Sequence, residues 1–167
     1  FDASSGTQRW QFQEPQGIGL SQPVLDSGVV YAIDGWGVYA FDAGGGAQRW
    51  SVQMQSMGNM DLLAMNDLLY FLTVSGASGQ QTIEALDVSN GAKRWSWSPT
   101  ATALAAPGAS TFAPLSGALP LAYTTGNGGV YVWYNGKVIA MNGENGTQQW
   151  QAPINPGSPQ VGVMVVG

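Results

Sequence analysis

The sequence has 167 residues, 44% of them apolar and only 9% charged, with ten carboxylates against five Lys and Arg for a net charge of −5. That length supports one domain with a real core, and the acidic balance without any Lys/Arg cluster excludes a nucleic-acid surface. The absence of Cys and His removes disulfides, thiolate ligands, a thiol nucleophile and the commonest general base. No apolar run approaches the ~20 residues of a membrane span. The chain does not start with Met and reads as a mature or excised segment, and its low charge with abundant Gly, Ser, Thr and Gln points to an extracellular or periplasmic domain.

The opening stretch FDASSGTQRW (1–10) returns as FDAGGGAQRW (41–50), LDVSNGAKRW (86–95) and MNGENGTQQW (141–150). The closing tryptophans, Trp10, Trp50, Trp95 and Trp150, are 40, 45 and 55 residues apart. A period near 40 marks propeller blades or helical repeats. With 24 Gly and nine Pro and no long amphipathic stretch, the helical alternative fits poorly. The expected fold is all-β: a β-propeller of four-stranded antiparallel blades, with about four blades in this chain.

In chain order, residues 1–14 are expected to supply the third and fourth strands of one blade. Residues 22–53 form a whole blade. There Pro23–Leu25 leads, Asp26-Ser27-Gly28 turns, Val29–Ile33 returns, Asp34-Gly35 makes a hairpin, and Gly37–Phe41 and Gln48–Gln53 finish. Residues 60–97 form the next, as Leu62–Met65, Leu68–Val74, Gln81–Asp87 and Ala92–Trp97. Residues 113–152 form another, with Val130–Tyr134 and Lys137–Asn142 flanking Asn135-Gly136. Residues 160–167 read as the inner strand of a partial blade. If the two ends meet, they build one composite blade.

The motif has a physical logic. Gly6, Gly46, Gly91 and Gly146 occupy one position of the turn between third and fourth strands, where φ > 0 is expected. Asp2, Asp42 and Asp87, with Asn142 once in their place, precede the turn and can accept its amides. The tryptophan starts the outer strand and is suited to filling the gap between blades, since stacking buries the faces a single blade leaves bare.

The stretch AFDAGGGAQRW, preceded by VVYAIDG, resembles the repeat of the pyrroloquinoline-quinone-like β-propellers. The resemblance spans nearly the whole chain. It implies fold more than function, because that superfamily includes quinoprotein alcohol dehydrogenases, the propeller lipoprotein of the outer-membrane barrel assembly machinery, and sensor or scaffold propellers. Its members usually have about seven or eight blades. Four blades therefore imply a piece of a larger ring, completion by another copy, or a small closed ring, of which completion is favoured.

The quinoprotein dehydrogenases of the family hold a quinone beside calcium, and their adjacent-cysteine ring cannot exist here. Asp2, Asp42 and Asp87 belong to the motif, Asp26 and Asp34 to turns, and Glu14, Asp61, Asp67, Glu84 and Glu144 form no close pair in sequence. GNGG at 126–129 lacks the Lys of a phosphate loop and reads as a hairpin turn. NGT at 145–147 matches a glycosylation triplet but falls within the motif. No catalytic residue, cofactor or metal site is expected.

The extra length of the longer periods falls at Ser75–Gln81, between second and third strands, and at Pro99–Ser110, between blades. Both belong to one rim of a propeller, so that rim is the expected binding face. Its candidate residues are Trp36, Ser75, Ser78, Thr102 and Leu104. The reading is a binding or scaffolding propeller whose partner is a protein or another copy of the chain. The alternative is a fragment of a quinone-dependent dehydrogenase.

Overall fold

Alternating β-branched and aromatic runs, cut by Gly, Asn and Asp, give strands and tight turns and no helix among the described residues. These are residues 1–2, 4–13, 20–54, 57–75, 79–99, 122–134 and 136–154 of the computed structural model. Twelve strands form three antiparallel meanders. Blade one comprises β1 (Val24–Asp26), β2 (Val29–Ile33), β3 (Gly37–Asp42) and β4 (Gln48–Gln53). Blade two comprises β5 (Met57–Met65), β6 (Leu68–Val74), β7 (Gln81–Asp87) and β8 (Lys93–Trp97). Blade three comprises β9 (Ala122–Gly126), β10 (Gly129–Tyr134), β11 (Lys137–Asn142) and β12 (Gln148–Pro153).

The hairpin between first and second strands is the same in each blade. Its central residues are Ser27-Gly28, Asn66-Asp67 and Asn127-Gly128, all with φ between +47° and +76°. Two successive positive φ values define the turn whose twist matches paired strands. That hairpin is tied to the motif turn by a repeated bond, from the amides of Ala43, Val88 and Gly143 to the carbonyls of Gly28, Asp67 and Gly128 (2.9–3.0 Å).

A bulge also recurs. Ala40 pairs with Trp50 and Phe41 with Gln48, so Arg49 is left over, and Arg94 and Gln149 hold the same place in blades two and three. One unpaired residue in the outer strand bends it and sharpens its twist, turning the arginine back toward the motif aspartate. Arg9, Arg49 and Arg94 lie 3.8, 2.9 and 3.5 Å from Asp2, Asp42 and Asp87. In blade three both partners are neutral, Asn142 and Gln149.

Burial is sandwiched between blades. One cluster joins Tyr31, Ile33, Val38 and Ala40 of blade one to Leu62, Leu69, Phe71 and Leu86 of blade two. The other joins Tyr70, Leu72, Ile83, Ala85 and Trp95 of blade two to Val130, Val132, Ile139 and Met141 of blade three. In blade two the period-two alternation of β5, β6 and β7 divides their residues between these two layers. The first strands converge, with β5 touching β1 on one side and β9 on the other, which makes them the inner edge. The outer strands β4 and β12 are largely exposed.

Two expectations differ in detail. Residues 1–13 build the motif turn but form no strand among the described residues. Among the described residues, 8–13 join no ladder, and they lay Trp10 and Phe12 on Phe41 and Tyr39 of blade one, at ring distances of 4.6–5.9 Å. The first strand of blade two starts at Met57 rather than Leu62, with its pairing interrupted between Gly58 and Leu62. Residues 113–121, expected to begin blade three, and 160–167 lie outside the described residues, as do Glu14 and Asn135.

Candidate functional site: blade joints, loop rim and an exposed blade face

The motif turn is built four times with the same two bonds. The amides of Asp2, Asp42, Asp87 and Asn142 reach the carbonyls of Thr7, Ala47, Ala92 and Thr147, and those of Gly6, Gly46, Gly91 and Gly146 return to residues 2, 42, 87 and 142 (2.8–2.9 Å). All four glycines have φ between +68° and +73°. The side chain at the head of the turn caps it. Asp42 Oδ2 accepts the amides of Gly44 (3.0 Å) and Gly45 (2.8 Å), and Asn142 Oδ1 those of Glu144 (2.9 Å) and Asn145 (3.1 Å). The hydroxyl of Ser4, then the amides of Ser5 and Ser4, hold the Asp2 carboxyl at about 2. Arg49 and then the Gly45 amide keep Asp42 below the usual carboxylate range, as the Ser89 hydroxyl and amide do for Asp87. These carboxylates are committed to backbone geometry, not poised for proton transfer.

Three of the four motif tryptophans cross to the next turn. The indole N–H of Trp10 donates to the Ala43 carbonyl (3.1 Å), that of Trp50 to Val88 (2.9 Å) and that of Trp95 to Gly143 (2.7 Å). The ring then covers the turn glycine. A methyl built on Gly46 would come within 2.5 Å of Trp10, one on Gly91 within 2.8 Å of Trp50, and one on Gly146 within 2.7 Å of Trp95. The turn glycine thus serves two constraints, a positive φ and a neighbour that leaves no room for Cβ.

Sequence reasoning missed a second member of this joint. In every blade a tyrosine, an alanine and the tryptophan form one row across three strands: Tyr31–Ala40–Trp50, Tyr70–Ala85–Trp95 and Tyr131–Ala140–Trp150. The ring centroids of Tyr and Trp are 6.0, 5.8 and 6.2 Å apart. The available signal was a tyrosine at the third position of VVYAI and LLYFL and of GVYVW. Tyr70 also donates its hydroxyl to the Gly143 carbonyl (3.1 Å). Burial, with the nearby Glu144 charge, pushes its phenol up to about 12.

On the rim, Trp36 stands at the tip of the β2–β3 hairpin, 44% exposed. The fully buried Asp34 fixes that tip. Its Oδ1 accepts the amides of Trp36 (2.8 Å) and Gly37 (2.6 Å), while Oδ2 accepts the Tyr39 hydroxyl (2.7 Å). The Trp36 carbonyl in turn accepts the Met54 amide (2.7 Å), tying the tip to the chain beyond β4. Ser75 is half-buried and begins a turn bonded like the motif, its amide to Gln80 (2.9 Å) and its carbonyl from Gly79 (2.7 Å). Ser78, Thr102 and Leu104 lie outside the described residues.

The far face of blade three carries the third Tyr–Ala–Trp row with Trp133 beside it. Trp150 is 47% exposed and Trp133 49%, whereas Trp95, in the same row of blade two, is 8% exposed. Among the described residues no group of three or more His, Cys, Asp or Glu is disposed to hold a metal ion, and no helix is long and apolar enough to cross a membrane.

A family model described as outer membrane protein assembly factor BamB matches residues 1–163. Among solved structures, BamB from Moraxella catarrhalis is similar at 23% identity and a TM-score of 0.51, over 81% of this chain and 37% of that one. Quinohemoprotein alcohol dehydrogenase ADHIIG from Pseudomonas putida HK5 is similar at 23% identity and a TM-score of 0.58, over 83% of this chain and 21% of that one. The quinohemoprotein alcohol dehydrogenase from Comamonas testosteroni gives 21% identity and a TM-score of 0.54, over 84% and 22%. The chain thus spans about a fifth to two fifths of the length of these structures. At such identities the likeness is one of fold. The comparison with curated protein sequences gave no match.

Proposed function

This chain belongs to the family described as outer membrane protein assembly factor BamB, and from that premise we propose that it is a non-catalytic propeller that binds or scaffolds another protein. The observation that carries the reading is the set of exposed tryptophans among the described residues, Trp36, Trp133 and Trp150, on a chain with few charged residues. Tryptophans displayed on rigid elements are the side chains that anchor protein interfaces. Asp34 supports this use of Trp36 by locking its backbone, so a partner meets a hairpin tip already ordered. The family description names the outer membrane, and with the low-charge composition it supports a periplasmic or extracellular location, to be checked by fractionating cells that express the native gene.

The test has two arms. A photo-crosslinking residue at position 36 or 133, in cells that make the protein, should capture one discrete protein partner, while the same residue at the exposed outer-strand position Ser51 should not. Added pyrroloquinoline quinone, calcium and an alcohol should neither reduce a dye nor shift the melting temperature. Quinone-dependent dye reduction would overturn the non-catalytic reading, and equal capture at 36, 133 and 51 would overturn the binding surface.

A further inference from the structure

We propose that Asn127 is a site of spontaneous covalent modification through its own Gly128, the labile one of the Asn-Gly pairs among the described residues, and that its isoaspartate product loosens the turn at Gly143. The proposal does not rest on the scaffolding reading. The sequence holds five Asn-Gly pairs, at Asn90, Asn127, Asn135, Asn142 and Asn145, and Asn135 lies outside the described residues. Such a pair can cyclise, because with no side chain on the glycine its backbone nitrogen can swing to the asparagine Cγ. The nitrogen gives up its proton and bonds to Cγ, the Cγ–Nδ2 bond breaks, and Nδ2 leaves as ammonia with that proton. Water then opens the succinimide. Opening at the side-chain carbonyl leaves an aspartate, and opening at the main-chain carbonyl leaves an isoaspartate whose backbone runs through Cγ.

The reaction needs a glycine nitrogen able to turn toward Cγ. Three pairs withhold it. The amides of Gly91, Gly143 and Gly146 donate to the carbonyls of Asp87, Gly128 and Asn142 at 2.8–2.9 Å. Their asparagine side chains are held as well. Asn90 Oδ1 accepts the Ala92 amide (2.8 Å), Asn142 Oδ1 those of Glu144 (2.9 Å) and Asn145 (3.1 Å), and Asn145 Oδ1 the amide (3.0 Å) and hydroxyl (2.7 Å) of Thr147. Trp50 and Trp95 also lie over Gly91 and Gly146. Asn127-Gly128 differs. It is the tip of the β9–β10 hairpin, Asn127 is exposed, and the Gly128 amide has no acceptor among the described residues. The Gly128 carbonyl, not its nitrogen, ties the tip to the fold, through the Gly143 amide (2.9 Å). That contact is tight: a methyl built on Gly143 would stand 2.8 Å from the Gly128 carbonyl. The Gly143 carbonyl in turn takes the Trp95 indole (2.7 Å) and the Tyr70 hydroxyl (3.1 Å). An isoaspartate at position 127 adds a methylene to the chain beside this contact, and either product adds a negative charge.

The test is mass spectrometry of the full 167-residue chain kept folded at mildly alkaline pH. Fragmentation of its chymotryptic peptides locates each amide-to-acid exchange and separates position 127 from position 135. Acid should accumulate at Asn127 about tenfold or more faster than at Asn90, Asn142 and Asn145, since those three must first open locally. In urea, where every turn is open, the four positions should react at similar rates. The isoaspartate form at position 127, separated from the parent chain by anion exchange on its added charge, should melt at a lower temperature. Equal rates at the four positions in the folded chain, the same preference for Asn127 in urea, or an isoaspartate form that melts with the parent chain would each overturn the proposal.

Discussion

Trp95 lies over Gly146 so closely that a methyl there would stand 2.7 Å from its ring, while the same indole donates to the Gly143 carbonyl at 2.7 Å. One side chain thus reads two backbone positions of the next blade. Gly146→Ala should therefore cost more than the 1–2 kcal/mol of a left-handed residue, because the displaced ring adds packing loss, to a total of about 3 kcal/mol. Gly136→Ala, at φ +70° with nothing within 4 Å, should cost only the strain. Denaturant titration of the two variants gives the comparison.

Trp50→Ala should cost about 3–5 kcal/mol, the range for large-to-small changes in a packed core, since it removes both the cover over Gly91 and the bond to Val88. Trp36→Ala should cost less than about 1 kcal/mol, as surface changes do. Equal losses on urea unfolding would contradict the placement of Trp50 between blades and Trp36 on the rim.

The motif carboxylates make stability fall in acid. Asp2 is held at about 2, and Asp42 and Asp87 are lowered, against about 3.9 in the unfolded chain. A lowered folded value means stability that is present above about pH 4 and lost as pH falls through the folded values. Melting temperature should be level from neutral pH to about 5 and decline below 4. Asn142 makes the same amide bonds without titrating, so the triple variant Asp2→Asn, Asp42→Asn, Asp87→Asn should flatten that acid limb.

Asp34→Ala should unfasten the rim. It leaves the amides of Trp36 and Gly37 without their acceptor, at about 1–3 kcal/mol for each buried donor left unmet. The specific readout is Trp36 itself. Measured in a variant in which the other exposed tryptophans, Trp133 and Trp150, are replaced by Phe, acrylamide quenching and fluorescence anisotropy should report a looser indole once Asp34 is gone. An unchanged anisotropy would separate Asp34 from the presentation of Trp36.

The hairpins were legible because they are local. Asp-Gly, Ser-Gly and Asn-Gly pairs state their turn geometry within two residues, and the strands around Val29–Ile33 and Lys137–Asn142 follow from them. The joints were legible only in halves. The sequence marks Trp50 and Gly91 as repeated, and φ alone accounts for the glycine, so nothing local reveals that the tryptophan of one blade sits on the glycine of the next. The bulge at Arg49, Arg94 and Gln149 was hidden for the same reason, since it exists only in the pairing of two strands. The tyrosine row was present as a period but carried less weight than the tryptophan beside it. Residues 8–13 read as a strand by composition, yet a strand needs a neighbour, and among the described residues they have only the aromatic face of blade one.

Because the joints from residues 1–13 to blade one, from blade one to blade two and from blade two to blade three are built alike, opening free energies should follow a nearest-neighbour rule. Blade two is clasped on both faces, through Leu69 and Phe71 on one side and Tyr70 and Trp95 on the other, whereas the far face of blade three has no described neighbour. Amide hydrogen exchange should then be graded rather than uniform, slowest along β6 and β7, and fastest at β12, where the chain unzips first.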